Sequence, residues 1–346
     1  MLYVTTRDKH NAYTVARAIE EDRAPDGGFY LPFRMPHFEP EELAALKEKS
    51  FAQCVADALN LFFTCGITPW DLEFSVGRNP AKLSFLQQRI CVAELWHNQH
   101  LAYSGLVRTL AQKIRSGSVD LKLTSWVKIA VRIAVVMGIY SQMLRSEVVD
   151  AGKTFDVSLP AGDFSSVMAL WYLRQMGLPV GNIICTCNEN SGIWDLLHLG
   201  EVRTDAAAVA TTTPELDVFL PEETERLICG ALGVDEAVRF CSIRDKGEIY
   251  RLLPASQDVL RKGMFAAVVS RTRLEAVIPS VFRTAEYVMG PYTALAYAGL
   301  SDYRAKTGES RAALILADKN PISDAAMVTS AMNMTLQEVK EILGII

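Results

Sequence analysis

The segment best suited to bind a ligand is a glycine turn between a short apolar stretch and an amphipathic one. Thr154 to Pro160 is typical of a strand, Ala161-Gly162-Asp163-Phe164 of a turn, and Ser165 to Met176 of a helix. Free backbone N–H groups at the start of such a helix can hold a phosphate group. The spacing alone favours an ordinary strand-to-helix turn, which needs glycine and a capping residue as well.

Cysteine and histidine pairs suggest a second chemistry, metal binding. Cys185 and Cys187 form an isolated C-x-C, and their alternation favours one face of a buried strand over a metal site. His97 and His100 are neighbours, but no zinc-binding motif, nucleophile elbow or Walker sequence accompanies them. The seven cysteines are odd in number and irregularly spaced, which indicates a reducing compartment rather than a disulfide framework. We therefore predict no metal site.

Composition and charge exclude several classes of protein. The chain has 346 residues, half of them hydrophobic, which is enough for roughly two domains. Its formal net charge of −5 gives no basic surface for nucleic acid. Trp126 to Leu144 is the most apolar run, but Lys128 and Arg132 lie one turn apart in it, so we predict a soluble helix with one wet face and no membrane span. The first residues do not resemble a signal peptide, and we expect a cytoplasmic protein.

The elements around the turn change character along the chain. The first hundred residues favour helices, and from Thr154 onward strands alternate with helices, which predicts a parallel sheet. The predicted helices are one opened by Pro40-Glu41-Glu42, Ser50 to Phe63, Leu101 to Ile114, one from about Thr124, Pro221 to about Leu232, Pro291 to Lys306, and one opened by the capping box Thr335-Leu336-Gln337-Glu338. The predicted extended segments are Pro80 to Glu94, Ile183 to Cys187, Met264 to Val269 and Ala312 to Ala317.

A series of short motifs, kept in one order from about residue 1 to 325, resembles the threonine synthases. The matching segments, each followed by the family motif that it resembles, are Ala24 to Pro32 (APDGGLYVP), Glu94 to His97 (ELFHGPT), Leu101 to Tyr103 (LAFKD), Leu159 to Ser165 (VPTGNFG), Met176 to Pro179 (MGLP), Cys187 to Asn190 (TNEND), Thr213 to Asp217 (SPSMD), Glu225 to Leu227 (FERLL), Pro291 to Ala294 (DPHTA) and Leu316 to Pro321 (LATAHP). The ordered set carries the resemblance, since no single motif is decisive.

The resemblance implies a fold and a chemistry. Threonine synthases are pyridoxal-phosphate enzymes of fold type II (tryptophan synthase β-like) that convert phosphohomoserine to threonine. In them the lysine of LAFKD holds the cofactor as a Schiff base, the GNFG turn holds its phosphate, and LATAHP supplies a small hydroxyl residue to its ring nitrogen. The resemblance therefore implies an α/β fold with a helical N-terminal domain at residues 1–100 and a parallel-sheet large domain at residues 101–346.

The chain departs from the family at the lysine. Ser104 stands at that position, and serine cannot form an imine, so covalent anchoring of the cofactor is lost. The next lysine, Lys113, is nine residues further on, about 13 Å along a helix. A serine near the start of a helix is itself a suitable cap. We therefore expect no catalytic residue in this chain.

The phosphate turn and the ring-nitrogen position depart as well. Asp163 and Ser165 replace Asn and Gly of GNFG, and we predict that Asp163 caps the following helix and repels a phosphate. Asp318 replaces the hydroxyl residue, although other pyridoxal enzymes do place an aspartate there. The vestigial cofactor site would comprise Gly162, Asp163, Phe164, Ser165, Ser166 and Asp318.

The largest departure is a missing domain. In the family, LAFKD is followed by TSGDTG and a small α/β domain. Here Ala111 to Lys122 is a short polar connection, and Leu123 to Lys128 already resembles the segment after that domain. The small domain is therefore largely deleted, at about residues 114–123.

These departures favour a pseudoenzyme that binds no pyridoxal phosphate and acts as a binding or regulatory protein. The alternatives are a pyridoxal-dependent lyase or synthase that uses an unrecognised lysine, and a sensor with a small-molecule ligand in the remaining cleft. Deleting the small domain should expose an apolar wall near Tyr103, Leu106, Phe164 and Trp126. We therefore expect a protein partner, most simply a second copy in a homodimer.

Overall fold

The computed structural model describes residues 1–76, 81–87, 89–97, 103–114, 124–162 and 164–345. The strands are β1 (Tyr3–Thr5), β2 (Tyr30–Pro32), β3 (Lys82–Leu86), β4 (Ile90–Glu94), β5 (Phe155–Pro160), β6 (Val180–Cys187), β7 (Glu201–Arg203), β8 (Ile249–Arg251), β9 (Met264–Val268) and β10 (Ala313–Ala317). The α-helices are α1 (Val15–Glu20), α2 (Pro40–Ala45), α3 (Phe51–Phe63), α4 (Pro69–Val76), α5 (Tyr103–Ile114), α6 (Ser125–Arg145), α7 (Ser165–Gln175), α8 (Gly192–His198), α9 (Thr224–Leu232), α10 (Val234–Arg244), α11 (Pro254–Arg261), α12 (Arg271–Ala285), α13 (Pro291–Thr307), α14 (Ala325–Met332) and α15 (Leu336–Leu343).

A six-stranded sheet in the order β3-β4-β10-β5-β6-β9 forms the centre of the molecule. Strands β4, β10, β5, β6 and β9 run parallel, and β3 is antiparallel to β4. The predicted α/β class is therefore confirmed, but the sheet is mixed. The antiparallel edge arises because only three residues separate Leu86 from Ile90, too few for the crossover that a parallel pair needs.

Helix α6 is the central helix of the core, and it corrects the predicted wet face. By length and composition it could cross a membrane, but 89% of its apolar window is buried inside the protein, as in the core helix of a globular fold. Lys128 is half-buried, whereas Arg132 is only 5% exposed. Arg132 can be buried because the side chain of Asp318 neutralises it. Close packing also excludes a side chain at Gly138, where a Cβ would lie 2.5 Å from the ring of Phe51.

The N-terminal segment is attached to the large sheet region through a buried carboxylate. Glu225 on α9 is fully buried and accepts a hydrogen bond from the hydroxyl of Thr6 at 2.5 Å. The guanidinium groups of Arg7, Arg244 and Arg23 lie 3.1, 3.2 and 3.5 Å from its oxygens. Burial raises the pKa of Glu225, but the hydrogen bonds from Arg7 and Thr6 outweigh it and lower that pKa to about 2. We refer to these five residues as the Glu225 cluster.

Local capping explains where several predicted helices begin. The side chain of Ser50 accepts the N–H of Gln53 at the start of α3, and Thr124 accepts that of Val127 at the start of α6. Thr335 and Glu338 form the predicted capping box of α15. These helices therefore begin where the sequence predicted.

Candidate functional site

The carboxyl ends of four parallel strands meet at one edge of the sheet and bring the sequence-predicted site residues together. Glu94 ends β4, Gly162 follows β5, Asn188 follows β6, and Asp318 follows β10. Ligands of open α/β sheets bind outside this edge. The predicted cofactor positions Gly162 and Asp318 thus lie at the same edge of the sheet.

Close packing is enough to explain the glycine at position 162, without a bound phosphate. A Cβ on Gly162 would lie 2.9 Å from the carbonyl oxygen of Glu215 and 2.8 Å from the side chain of Leu216. Phe164 precedes α7 with a left-handed φ of +66°, unusual for a bulky residue, and its ring is buried. Ser165 and Ser166 open α7, with Ser165 buried. The predicted cap at Asp163 lies outside the described residues.

Ser104 is the second residue of α5, so the helix predicted around it is confirmed. Lys113, at the far end of this helix, is held elsewhere, because its Nζ lies 2.9 Å from Oδ1 of Asp71. Hydrogen bonds from Thr68 and then from Lys113 lower the pKa of Asp71 to about 2. Helix α5 ends at Ile114, where the predicted helix Leu101 to Ile114 ends.

Asp318 forms an ion pair with Arg132 of the same chain. Nη1 of Arg132 lies 2.9 Å from Oδ1 of Asp318, and the Arg132 side chain is 6% exposed while that of Asp318 is 49% exposed. The guanidinium thus reaches the half-exposed carboxylate from the protein core. An aspartate that would meet a protonated pyridine nitrogen is thus already paired with a fixed positive charge.

Lys319 is the functional candidate that sequence reasoning missed. Its amine forms an ion pair with Glu215, next to the Gly162 turn, and lies 4.4 Å from the centre of the Tyr292 ring. Burial lowers the pKa of Lys319, but the Glu215 hydrogen bond and the charges of Tyr292 and Glu215 outweigh it, so the pKa is raised. The signal that was available is its place beside Asp318 in the segment that resembles LATAHP.

A second polar group surrounds Glu94, which is 2% exposed. Its Oε2 lies 2.5 Å from Nε2 of His97, and its other oxygen accepts the hydroxyl of Ser84. Nζ of Lys82 is 3.5 Å away. His100 lies outside the described residues, and the described part of the chain contains no group of three or more His, Cys, Asp or Glu that could hold a metal.

The isolated cysteine pair behaves as its spacing indicated. Cys185 and Cys187 are both buried on β6. Burial is the largest cause that raises the pKa of both thiols, that of Cys187 to about 12. Thiols this hard to ionise are poor metal ligands and poor nucleophiles.

The predicted apolar wall is wrong at the residues named for it. Leu106, Phe164 and Trp126 are each at most 1% exposed within the single chain. All three belong to the main hydrophobic cluster, because the chain closes over this region instead of leaving it open. The side chain of Tyr103 lies outside the described residues.

The residues at the positions that the resemblance assigns to pyridoxal phosphate differ from those of the family. The cofactor needs a lysine that can lose its proton, and Ser104 stands where that lysine would be. The described lysines nearby, Lys113 and Lys319, are both paired with carboxylates. Ten residues separate the end of α5 from the start of α6, far fewer than the roughly 50 of a small domain.

Comparison with known proteins connects the chain to the threonine synthases. Residues 2–78 match the family model "Threonine synthase N terminus". Threonine synthase-like 1 of Homo sapiens is 23% identical over 176 residues, which are 50% of this chain and 24% of that protein. Threonine synthase of Corynebacterium glutamicum is 35% identical over 80 residues, 22% of this chain and 17% of that enzyme. The chain thus matches about a quarter of the length of threonine synthase-like 1, and a smaller share of the Corynebacterium enzyme.

Solved structures show the same fold along almost the whole chain. The crystal structure of pyridoxal-phosphate-bound threonine synthase from Brucella melitensis aligns with a TM-score of 0.85 at 17% identity, over 99% of this chain and 94% of that one. Yeast threonine synthase aligns with a TM-score of 0.80 at 15% identity, over 99% and 94% of the two chains. The fold class implied by the sequence resemblance is confirmed.

Proposed function

We propose that this relative of the threonine synthases forms no imine with pyridoxal phosphate and acts as a non-catalytic binding or regulatory protein. The observation that carries the proposal is Ser104 in place of the cofactor lysine, in a chain whose neighbouring lysines are engaged by acids. An imine forms from a neutral amine, and serine offers none.

Two described lysines, Lys113 and Lys319, support this proposal for different reasons. Lys113 lies nine residues beyond Ser104 on the same helix and is paired with Asp71. Lys319 is paired with Glu215, which borders the Gly162 turn, and this carboxylate raises the pKa of the Lys319 amine and keeps it protonated at neutral pH. A protonated amine has no lone pair for a carbonyl carbon.

The ion pair between Arg132 and Asp318 supports the proposal independently. A pyridinium nitrogen is stabilised by a carboxylate that has no other strong cation. Asp318 lies 2.9 Å from a guanidinium that is almost fully buried and cannot be deprotonated. Bringing a second cation to this carboxylate would cost Coulomb repulsion with Arg132.

Reduction with borohydride tests the proposal directly. The purified protein is incubated with pyridoxal phosphate, its absorbance is recorded, and the sample is reduced and searched for pyridoxyl-lysine by peptide mass spectrometry. Threonine synthase from Brucella melitensis, whose crystal structure contains the cofactor, is the positive control. We expect no visible aldimine band and no stoichiometric adduct.

A stoichiometric adduct at any lysine would refute the proposal and favour a pyridoxal-dependent lyase or synthase. Lys319 is the first lysine to examine, because it pairs with Glu215, whose carbonyl borders the turn at Gly162. The Lys319→Arg variant keeps the charge opposite Glu215 and cannot form an imine. An adduct that disappears in this variant would assign the lysine.

A further inference from the structure

The turn that follows β4 holds a histidine against a buried carboxylate. Glu94 ends β4, and the next three residues, Leu95–His97, form a 3₁₀ turn. This turn brings the ring of His97 to Glu94, where Nε2 lies 2.5 Å from Oε2 of the carboxylate. The side chain of Glu94 is 2% exposed and that of His97 is 33% exposed. The pair therefore joins a buried acid to a ring that solvent can reach.

Contacts from β3 hold the carboxylate in place. Ser84 donates its hydroxyl to Oε1 of Glu94, and Nζ of Lys82 lies 3.5 Å from Oε2. An ionised carboxylate accepts hydrogen bonds and donates none. In the neutral imidazole of His97, the nitrogen that faces Glu94 must therefore carry the hydrogen, and the lone pair lies on Nδ1.

The nitrogen Nδ1 of His97 is placed to meet a ligand. Within the described ranges of the chain, no group forms a hydrogen bond or ion pair with it. The ring of Trp96 stacks on the imidazole, with centroids 3.6 Å apart and planes inclined by 26°. Trp96 is itself held, because it packs against the hydrophobic cluster that contains Val92 and Ile315. The imidazole is thus fixed by a carboxylate at one nitrogen and by an indole on one face.

An imidazole held by a carboxylate serves proteins as a metal ligand, a general base or a nucleophile. A metal needs further ligands, and the described residues contain no group of three or more His, Cys, Asp or Glu that could supply them. A general base needs a hydroxyl to activate, and Ser84 donates its own to Glu94 instead of to His97. A nucleophile needs only the lone pair and an electrophile, which leaves this role for His97.

We propose that His97 is a modification site that accepts an acyl group from small activated acyl compounds, such as acyl phosphates or reactive esters. Nδ1 attacks the carbonyl carbon, a nitrogen–carbon bond forms, and the bond from that carbon to the leaving oxygen breaks with its electron pair. The carboxylate of Glu94 stabilises the positive charge that the ring gains, and the Nε2 proton then passes through solvent to the leaving group. The product is an N-acylimidazole.

The surroundings of His97 favour an acyl group over a phosphoryl group. A carbonyl carbon brings no charge, whereas a phosphoryl group would bring negative charge beside Glu94. The ring of Trp96 offers an apolar surface to the acyl chain. The reaction modifies the protein once, needs no pyridoxal phosphate, and does not depend on the outcome of the borohydride test.

Diethyl pyrocarbonate, a small activated acyl compound, is the probe. It transfers its ethoxycarbonyl group to a neutral imidazole nitrogen and releases ethanol and carbon dioxide. The protein is treated at about pH 8, above the ordinary histidine pKa of about 6.5, and the modified fraction of each histidine is followed over time by peptide mass spectrometry. His37 is the internal control, because it is exposed and its Nδ1 lies 3.5 Å from a carbonyl oxygen, that of Gln175. We expect His97 to react about tenfold faster than His37, since an orienting carboxylate changes the activity of a histidine by about 10–100-fold.

Two variants separate the charge of Glu94 from a general disturbance of the turn. Glu94→Gln keeps the size of the side chain, and its amide can donate to Nε2 and move the ring hydrogen to Nδ1. We expect this variant to lower the rate at His97 about tenfold, to that of His37. Ser84→Ala removes one hydrogen bond to the same carboxylate but keeps the carboxylate beside His97, so the rate should stay within about twofold. The rate at His37 and the circular dichroism should be the same in all three proteins.

The proposal is wrong if His97 reacts no faster than His37 in the unmodified protein. It is also wrong if Glu94→Gln leaves the rate at His97 unchanged, or if Ser84→Ala lowers that rate as far as Glu94→Gln does. If Glu94→Gln does not fold, the comparison of His97 with His37 in the unmodified protein decides.

Discussion

Replacing Glu225 by glutamine tests how the N-terminal segment is held to the rest of the fold. The substitution keeps the size of the side chain and removes the charge that Arg7, Arg23 and Arg244 share. Glu225 is fully buried, so the loss is not screened by water at the carboxylate. The lowering of its pKa from 4.5 to about 2 corresponds to about 3 kcal/mol of stability at neutral pH.

The pH dependence of this loss has a definite sign. A carboxylate whose pKa is lowered on folding stabilises the protein above its unfolded pKa of 4.5, and this contribution disappears as the pH falls towards about 2. The unmodified protein and Glu225→Gln should therefore differ by about 3 kcal/mol in urea unfolding at pH 7, and the difference should shrink steadily below pH 4.5.

Glu222→Gln is the matched control, because Glu222 contacts the same Arg23 from a side chain that is 74% exposed. An exposed pair of this kind contributes less than about 1 kcal/mol. The reasoning fails if the two glutamine variants lose the same stability at pH 7. It also fails if the loss in Glu225→Gln stays constant between pH 7 and pH 3.

Two further variants test the packing around α6. The hydroxyl of Tyr3 donates to the carbonyl of Phe62 at 2.9 Å and accepts from the indole N–H of Trp126 at 3.1 Å. Tyr3→Phe removes this hydroxyl and leaves both buried groups without their partner. We therefore expect the free energy of unfolding, measured in urea, to fall by about 2 kcal/mol. Gly138→Ala should cost about 1–3 kcal/mol and lower the melting temperature, since its Cβ would lie 2.5 Å from the Phe51 ring; an unchanged midpoint in either variant would contradict the described contacts.

The strand, turn and helix around Gly162 could be predicted from sequence to within about a residue. The expected strand Thr154 to Pro160 is Phe155–Pro160 in the structure, and the expected helix Ser165 to Met176 is Ser165–Gln175. These bounds depend on neighbouring residues, namely the alternation of apolar side chains and the glycine turn. The sequence pattern is sufficient to predict the bounds of an element when interactions between neighbouring residues determine them.

The burial of charged and apolar side chains could not be predicted in the same way. The sequence placed Arg132 on a wet face, whereas its partner Asp318 is 186 residues away and makes burial tolerable. Leu106 and Phe164 were expected at an exposed wall, but tertiary packing encloses both. Strands β1 and β2 were not predicted, because three-residue strands carry little periodic signal.

Because of the order of its strands, the central sheet can be completed only late in synthesis. β10 lies in the middle of the sheet, between β4 and β5, yet its residues Ala313 to Ala317 leave the ribosome more than 150 residues after β5. Until then the facing edges of β4 and β5 have no strand between them, and the nascent chain carries two incomplete half-sheets with apolar faces. Contacts of such long sequence separation form slowly and leave the growing chain dependent on protection from aggregation.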